Sequence, residues 1–264
     1  MAEYSAPVSA PIWFDLMSSD PDKAVEFYGE LFGWEAEDAN PDFGGYRNFR
    51  KNGNRVAGLM PVMDPNGPSD IWSVYLRTDD AATTAKEVEA AGGTIMVPPM
   101  PVGDMGTMLV TVDPAGAVIG FWQAGTHPGY VEYGTHGTPY WFECQTKDYE
   151  KATAFYATLP GIRLEEIGTG GAEGATGPEQ YSQLFFGDTS YGGIMNAVKI
   201  FPPEIPSFWQ IYITADDVFA TVEKAVELGG EAVMPGEVTP YGTLGVIRDP
   251  LGALICLGHP PANM

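Results

Sequence analysis

Apolar positions along the chain follow two periods, one typical of strands and one typical of helices. Residues 11–17 form a short apolar and aromatic run, which predicts a strand. Asp20 and Pro21 mark a helix start, because aspartate caps a first turn and proline fits its first position. Apolar residues then follow at helical spacing up to Gly33, and strand-like runs return at 45–50 and 56–62.

The same order follows once more before residue 124. A strand is predicted at 71–77, and Thr78-Asp79-Asp80 is a second helix-capping sequence. The helix that it opens runs to Ala91 and is ended by Gly92-Gly93. Strands are predicted at 94–97, 107–112 and 117–123, with a tight turn at 113–116 between the last two. The order of elements is therefore βαβββ, twice.

The whole pattern is then repeated in the second half of the chain. Trp13-Phe14-Asp15 recurs 128 residues later as Trp141-Phe142-Glu143. Further pairs in the same order are Phe27-Tyr28 with Phe155-Tyr156, Trp72 to Tyr75 with Trp209 to Tyr212, Gly92-Gly93 with Gly229-Gly230, Gly106-Thr107 with Gly242-Thr243, and Asp113 to Gly116 with Asp249 to Gly252. The extra residues of the second copy fall in the Gly-rich stretch 168–180, which predicts a loop.

This repetition predicts two domains, at 11–123 and 139–258, joined by a linker at 124–138. The expected fold class is α+β: tandem duplicated domains in which four βαβββ units form curved sheets around cavities. Helices cover one face of each sheet, and the other face is the wall of a cavity.

The repeated elements carry a family resemblance. A strand is followed by Asp-x-x-x-(Ala/Ser)-x-x-Phe-Tyr, then Gly-Gly, then Asp-Pro-x-Gly, in both halves. In this the chain resembles the vicinal oxygen chelate superfamily of glyoxalases, bleomycin resistance proteins and extradiol dioxygenases. It is most similar to a two-domain actinobacterial glyoxalase-like group that includes a mycobacterial culture-filtrate antigen and proteins near anthracycline biosynthesis clusters.

In metal-dependent members, the resemblance implies metal ligands on four strands around each cavity. The corresponding positions here are Trp13 and Trp141, 58–60 and 193–195, Ser73 and Gln210, and Gly120 and Cys256. None of them is a histidine or a carboxylate, which zinc, nickel and iron prefer. We therefore expect no metal and no cofactor, and whether the protein is an enzyme stays open.

The net charge of the chain limits the kinds of partner that it can bind. It has 35 acidic and 13 basic residues in 264, a net charge of −22. Such a surface repels nucleic acid and anionic membranes, so we expect neither as a partner. There is no signal-peptide pattern and no apolar run long enough to span a membrane, which favours the cytoplasm. A monomer or a homodimer is compatible with the sequence.

Cysteine and histidine are too scarce for a metal cluster or a disulfide framework. Cys144 and Cys256 alternate onto opposite sheet faces, so no disulfide is expected and Cys256 is interpreted as a small apolar residue. His127 and His136 lie in the linker and His259 in the tail, where we expect solvated side chains.

Strand alternation selects the residues that face each cavity. Asp15 and Glu143 are the candidate catalytic carboxylates. The candidate ligand-binding residues are Trp13, Met60, Ser73, Tyr75, Trp122, Trp141, Gln145, Met195, Gln210 and Tyr212. The alternative is that the apolar residues fill the core and that the carboxylates cap backbone amides or pair with Arg77. The turns at 103–106 and 240–242 are expected at the cavity mouths, as lids.

A Trp, a Tyr and a carboxylate in one cavity suit a small, flat aromatic ligand with a hydroxyl or amine edge, including a cationic one. The first functional hypothesis is a metal-independent protein that binds an antibiotic or polyketide-type molecule, for sequestration and resistance or to assist biosynthesis. The second is a metal-independent enzyme acting on a natural-product intermediate, with Asp15 or Glu143 as general base and Tyr75 or Tyr212 as acid. The third is a metal-dependent lyase or dioxygenase.

Overall fold

The expected βαβββ unit occurs four times. The computed structural model of the chain describes residues 4–64, 66–167 and 180–259. The predicted Gly-rich loop lies outside the described residues apart from Gln180. Two units build the sheet of domain 1 and two build that of domain 2, so the predicted fold class is confirmed.

Domain 1 consists of β1 (Pro11–Ser18), α1 (Pro21–Phe32), β2 (Glu35–Ala36), a 3-10 turn (Pro41–Phe43), β3 (Arg47–Lys51), β4 (Asn54–Pro61), β5 (Ile71–Arg77), α2 (Ala81–Ala90), β6 (Thr94–Val102), β7 (Gly106–Val112) and β8 (Val118–Ala124). Domain 2 consists of β9 (Pro139–Thr146), α3 (Tyr149–Tyr156), β10 (Ile162–Ile167), β11 (Tyr181–Phe186), β12 (Thr189–Asn196), β13 (Phe208–Thr214), α4 (Val218–Glu227), β14 (Glu231–Thr239), β15 (Gly242–Arg248) and β16 (Leu254–His259).

Local signals account for most of these boundaries. The Asp20 side chain accepts the backbone N–H of Lys23, and the Asp80 side chain caps the first turn of α2 in the same way. Strand β6 continues five residues beyond the predicted end, through a proline-rich stretch, to Val102. Prolines are tolerated there because β6 is an edge strand, where a missing N–H breaks no ladder on the outer side.

The two sheets have the same strand order. It is β2-β3-β4-β1-β5-β8-β7-β6 in domain 1 and β10-β11-β12-β9-β13-β16-β15-β14 in domain 2. The central strand β1 runs parallel to β4 and antiparallel to β5. The first strand of each unit therefore lies at the centre of the sheet, and its side chains line the middle of both faces.

The core lies between the convex faces of the two sheets. Phe14 of β1 and Phe142 of β9 meet there, with ring centroids 6.1 Å apart. Tyr130 of the linker stacks on Phe142 at 6.0 Å. Because Phe14 and Phe142 face inward, their strand neighbours Trp13, Asp15, Trp141 and Glu143 face outward onto the two concave faces.

Two reciprocal hydrogen bonds join the domains. The hydroxyl of Tyr28 on α1 donates to Asp249 Oδ2 of domain 2 at 3.0 Å. The hydroxyl of Tyr156 on α3 donates to Asp113 Oδ2 of domain 1 at 2.9 Å. Both tyrosine side chains are fully buried. We call these two contacts the reciprocal tyrosine–aspartate pairs.

Close packing accompanies each pair. A Cβ on Gly93 would lie 3.2 Å from Phe155 Cε2, and one on Gly230 would lie 3.3 Å from Phe27 Cε2. The second glycine of each Gly-Gly sequence thus admits a phenylalanine of the other domain. The repeated Phe-Tyr, Gly-Gly and Asp-Pro sequences are therefore parts of one interface between the domains.

We expect Tyr28→Phe and Tyr156→Phe each to lower the free energy of unfolding by about 1–3 kcal/mol. Each change leaves a buried aspartate oxygen without its donor, and also removes the acceptor of Trp72 Nε1 or Trp209 Nε1. Urea unfolding followed by circular dichroism measures the effect. Tyr241→Phe, the same change at an exposed tyrosine, is the control. Unchanged stability in both interface variants would show that the pairs do not hold the domains together.

Candidate functional site

The concave face of domain 1 is organised around Asp15. Asp15 pairs with Gly58 of β4 on one side and with Ser73 of β5 on the other. Gly58 has no side chain, and the space above it is filled from the neighbouring segment: a Cβ there would lie 1.8 Å from Tyr46 Oη. The glycine is what allows the tyrosine hydroxyl to reach Asp15.

A chain of hydrogen bonds ends on the Asp15 carboxyl. Trp13 Nε1 donates to Tyr46 Oη at 2.8 Å, and the Tyr46 hydroxyl donates to Asp15 Oδ2 at 3.2 Å. Tyr75, opposite Trp13 on β5, brings a second hydroxyl to the carboxyl, and this hydroxyl is also 3.9 Å from Met108 Sδ. We call Trp13, Tyr46, Asp15 and Tyr75 the Asp15 tetrad.

The environment of Asp15 keeps its proton bound up to neutral pH. The residue is 5% exposed, and burial raises the pKa of the carboxyl to about 7, although the Tyr46 and Tyr75 hydroxyls act in the opposite direction. No basic side chain compensates it: Arg77 donates instead to the Ala6 carbonyl and to Asp79. Asp15 therefore neither caps a backbone amide nor pairs with Arg77, and it changes charge near pH 7.

Domain 2 has the equivalent Glu143 tetrad of Trp141, Tyr181, Glu143 and Tyr212. Trp141 Nε1 donates to Tyr181 Oη at 3.1 Å, and the Tyr212 hydroxyl donates to Glu143 Oε2 at 2.9 Å. The Tyr181 hydroxyl also lies at this carboxyl. As in domain 1, a glycine of the neighbouring strand leaves the space that the tyrosine hydroxyl occupies.

Glu143 has more donors around it than Asp15. Its Oε2 also accepts from Gln145 Nε2 at 2.5 Å and from Gln210 Nε2 at 3.0 Å. Burial raises the pKa of the Glu143 carboxyl, against the opposing effect of these hydrogen bonds. The two amides occupy positions where an approaching ligand would have to compete with the protein for the carboxylate.

The remaining predicted residues lie around the two tetrads. Alternation places Met60 and Trp122 on the concave face of domain 1, two residues from Gly58 and Gly120. Met195 pairs with Gln145 in domain 2. Gln145 is fully buried, and its Nε2 donates to Glu143 Oε2.

Tyr46 and Tyr181 were not predicted. Each begins or precedes a strand, outside the regular alternation used to select residues. A usable signal exists in the repeat: Tyr46 and Gly58 are separated by the same number of residues as Tyr181 and Gly193. Matching tyrosine–glycine pairs in both copies would have identified them.

The expectation that His127 is solvated is wrong. The residue is 5% exposed, and its ring lies edge-on to Trp13 at 4.4 Å and near Trp122 at 5.8 Å. Its Nδ1 accepts the backbone N–H of Gly129 at 3.1 Å. Burial lowers the pKa of the imidazole to about 4, so it is neutral at physiological pH. The linker folds back over the concave face, which brings His127 into the site.

The turn expected to act as a lid is bonded to this linker. The Met105 carbonyl accepts from the N–H groups of Gly125 and His127, and the Asp104 carbonyl accepts from that of Thr126. Phe43 belongs to the turn before β3, at the opposite edge of the sheet, and its ring packs close to this turn: a Cβ on Gly103 would lie 3.2 Å from Phe43 Cζ. The concave face is therefore a covered site, in which Trp13, Asp15 and Tyr75 are buried.

Two surface clefts lie elsewhere. One of about 340 Å³ is lined by Arg77, the start of α2 and residues 159–161. The other, of about 610 Å³, lies between α1 and the Pro250 turn of domain 2. Neither contains a member of a tetrad, and neither brings together the aromatic and carboxyl groups that the sequence singled out.

The tetrads do not fit a divalent metal. Each has one carboxylate and no histidine, whereas protein metal sites use three or more such ligands. The Tyr46 and Tyr75 hydroxyls, whose pKa burial raises well above 10, are not available as phenolates. Within the described residues, no three His, Cys, Asp or Glu side chains converge to hold an ion.

Cys144 and Cys256 are free and buried, so the expectation of no disulfide is confirmed for this pair. Burial raises the pKa of both thiols, which leaves them as unreactive apolar groups. In the parts of the chain that the structure describes, no helix has the length and apolar character needed to cross a membrane.

Comparisons with known proteins agree with this architecture. The family described as Glyoxalase/Bleomycin resistance protein/Dioxygenase superfamily matches twice, over residues 11–121 and 140–257. The chain is 35% identical over 256 residues to “Putative glyoxylase CFP32” of Mycobacterium tuberculosis, covering 95% of this chain and 94% of that protein. It is 35% identical over 263 residues to “Anthracycline biosynthesis protein DnrV” of Streptomyces peucetius, covering 92% of this chain and 90% of that one.

Solved structures share the fold at low identity. The Mn(II)-bound glyoxalase from Novosphingobium aromaticivorans superposes with a TM-score of 0.64 and 14% identity, covering 96% of this chain and 82% of that one. The 2,3-dioxygenase LapB from Pseudomonas sp. KL28 superposes with a TM-score of 0.65 and 12% identity, covering 98% and 96%. The predicted resemblance is confirmed, and the chain belongs to the glyoxalase/bleomycin resistance protein/dioxygenase superfamily.

Proposed function

We propose that the protein binds a flat, largely apolar aromatic molecule with a hydroxyl or amine edge, on the concave face of domain 1 and without a metal ion. The observation that carries the proposal is the Asp15 tetrad, in which an indole, two phenols and a carboxyl meet beneath a covered surface. The molecule is of the antibiotic or polyketide type, and binding serves sequestration or assists biosynthesis.

The chemistry of the face matches such a ligand. Trp13, Tyr75 and Trp122 offer ring surfaces, and aromatic rings pack against one another in stacked or edge-on arrangements. The Asp15 carboxyl can accept from a hydroxyl or amine edge when ionised and donate to a carbonyl when protonated. The relative named for anthracycline biosynthesis supports a natural product as the ligand.

Domain 1 is the better candidate of the two. Glu143 is engaged by four side-chain donors of its own domain, three of them on Oε2. Asp15 has no amide donor from its neighbours: Ser73 stands where domain 2 has Gln210. A ligand donor therefore meets less competition at Asp15.

A second function is favoured by the burial of the Asp15 carboxyl between the Tyr46 and Tyr75 hydroxyls, which raises its pKa to about 7. A carboxyl that changes protonation near neutral pH is suited to general acid–base catalysis. In this alternative Asp15 removes a proton from the bound aromatic substrate, and Tyr75 donates to the oxygen on which charge develops. Both functions use the same face and the same residues.

We expect 1-aminoanthraquinone to quench the tryptophan fluorescence of the protein to saturation. At pH 8, where the Asp15 carboxyl is ionised, Asp15→Asn should weaken its binding about tenfold, because one charge-assisted hydrogen bond is lost. Glu143→Gln, the equivalent change in domain 2, is the matched control and should leave the affinity unchanged. Quenching that never saturates would refute binding, and an equal effect of both variants would refute the assignment to domain 1.

We expect the same titration to be unaffected by removal of metal. Protein dialysed against EDTA should contain far less than one metal per chain by elemental analysis, and should bind 1-aminoanthraquinone with the affinity of untreated protein. The reason is that the tetrads lack a ligand set for a divalent ion. Loss of binding that is restored by Mn²⁺ would instead place a metal at the site.

The buried Asp15 should also make stability depend on pH. Its pKa is raised on folding from 3.8 to about 7, so the folded state holds the proton more tightly than the unfolded state. The free energy of unfolding of the wild type should therefore fall, through this group, as pH rises from 4 to 7. Relative to it, Asp15→Asn should gain stability over the same range, on the order of 4 kcal/mol.

Urea unfolding at pH 4, 5.5, 7 and 8 tests this dependence. Glu89→Gln on the exposed side of α2 removes one carboxyl without changing the site and is the control. A difference between Asp15→Asn and the wild type that stays constant with pH would show that Asp15 is ionised as readily in the folded as in the unfolded protein.

A further inference from the structure

A second polar cluster lies beside the Asp15 tetrad. It is centred on Glu37, whose Oε2 accepts from Asn48 Nδ2 at 2.6 Å and whose Oε1 accepts from Arg50 Nε at 2.6 Å. Arg55 Nε is 3.8 Å from the same Oε1. We call Glu37, Asn48, Arg50 and Arg55 the Glu37 cluster. It holds two of the chain's few basic residues.

Strand register places this cluster on the concave face. Asn48 pairs with Gly58, and Gly58 pairs with Asp15, so Asn48 and Asp15 share one row and one face of the sheet. Two strand spacings separate their Cα atoms, about 10 Å. A register shift at Phe49/Arg50 interrupts the alternation. Such bulges re-aim side chains, and here Arg50 and Arg55 meet Glu37 on the side of Asn48.

The cluster contains an acceptor and a donor that the protein leaves unused. Asn48 Oδ1 and Arg55 Nε are both buried and have no hydrogen-bond partner, and Asn48 as a whole is only 8% exposed. Leaving such an atom unpaired costs free energy of folding, which a ligand that supplies the missing partner recovers. The other unpaired buried atoms in the described chain, on Arg47, Gln145 and Thr214, are not joined to a common partner.

His127 lies between the Glu37 cluster and the aromatic side chains Trp13 and Trp122. Its ring contacts Trp13, and its ionisation is influenced by the charges of Arg55 and Glu37. The unused acceptor and donor therefore border the surface on which the proposed aromatic ligand lies. The cluster and the tetrad form two ends of one face.

The two arginines of the cluster have no counterpart at the equivalent strand positions in the described part of domain 2. Gln183 pairs with Gly193 there, in the position of Asn48, but Phe185 and Ser190 are paired where domain 1 has Arg50 and Arg55. The Phe185 ring lies under Arg163 at 4.4 Å. The unused polar pair is thus a feature of domain 1, the domain to which binding is assigned above.

We infer that Asn48 Oδ1 and Arg55 Nε–H recognise a hydroxyl next to a carbonyl on the edge of the ligand, as in a hydroxyquinone or an enolised diketone. Asn48 Oδ1 requires an O–H or N–H donor, and Arg55 Nε–H requires an acceptor such as C=O. A carboxylate could satisfy only the arginine, and it would face Glu37. This inference rests on the proposed function, because it names the chemical class of ligand for the same face.

The experiment compares 1-hydroxyanthraquinone, which has a hydroxyl next to a carbonyl, with unsubstituted anthraquinone, which has only the carbonyls. The variants are Arg55→Lys, which keeps the charge but removes the Nε–H, and Asn48→Leu, which removes the acceptor. Arg163→Lys, the same arginine change in domain 2, is the matched control. Tryptophan quenching gives the affinities, and thermal unfolding identifies any variant that does not fold.

We expect the wild type to bind 1-hydroxyanthraquinone more tightly than anthraquinone. Arg55→Lys should lower the affinity for both probes about tenfold, because both carry the carbonyl that accepts from Arg55 Nε–H. Asn48→Leu should lower the affinity for the hydroxylated probe about tenfold and leave that for anthraquinone within twofold, because only the hydroxyl donates to Asn48 Oδ1. Arg163→Lys should change neither affinity.

Two results would overturn the inference in different ways. If both probes bind the wild type, and Asn48→Leu weakens them equally or not at all or Arg55→Lys weakens neither, the ligand class is wrong while aromatic binding stands. If neither probe binds the wild type, and 1-aminoanthraquinone does not bind either, the proposed function fails and the inference fails with it.

Discussion

The architecture depends on the reciprocal tyrosine–aspartate pairs. Tyr28 and Tyr156 each cross from one domain to an aspartate of the other, in the buried interface where hydrogen bonds are not weakened by water. Each aspartate also accepts backbone N–H groups of its own turn. Helix, turn and sheet are thereby fixed together, and the convex faces of both sheets are buried against each other. The concave faces are left to point outward, each built from residues of one domain, and in domain 1 the linker adds His127.

Much of this architecture could be predicted from the sequence, because the residues that recur in the two halves are the ones that cap helices, form turns and join the domains. The Asp20 cap predicts the start of α1, and the alternation in β1 predicts that Trp13 and Asp15 share a face opposite to Phe14. The site residues that periodicity could not predict lie in irregular segments of the chain. Tyr46 lies before its strand, and the Glu37 cluster depends on a register shift within β3 and β4. His127 reaches the site because the linker folds back, and a spacing argument contains no information on that.

The two copies show how one backbone supports unequal chemistry. The tryptophan and tyrosine residues of the two tetrads, and the glycines beside them, occupy equivalent sequence positions. The residue paired with the carboxylate on the adjacent strand differs: it is Ser73 opposite Asp15 and Gln210 opposite Glu143. One amide more at Glu143 adds a hydrogen bond to Oε2. Trp122 of domain 1 corresponds to Gly258 of domain 2, where the Tyr140 hydroxyl fills the space. The differences are local, so duplication preserved the fold while the two faces diverged.

A metal ion holds a ligand by coordination, and the protein then needs only to hold the metal. Where no metal-binding set is present, recognition must come from hydrogen bonds, and these are effective only if their donors and acceptors are fixed beforehand. The hydrogen bonds from Trp13 to Tyr46 and from Tyr46 to Asp15 fix these groups in place, since each group orients the next. They also explain why a carboxyl is kept in a buried position without a basic partner. Under the proposed function, the edge of a bound ligand would add a polar contact to those that the Tyr46 and Tyr75 hydroxyls already make with this carboxyl, and would offset part of its desolvation cost.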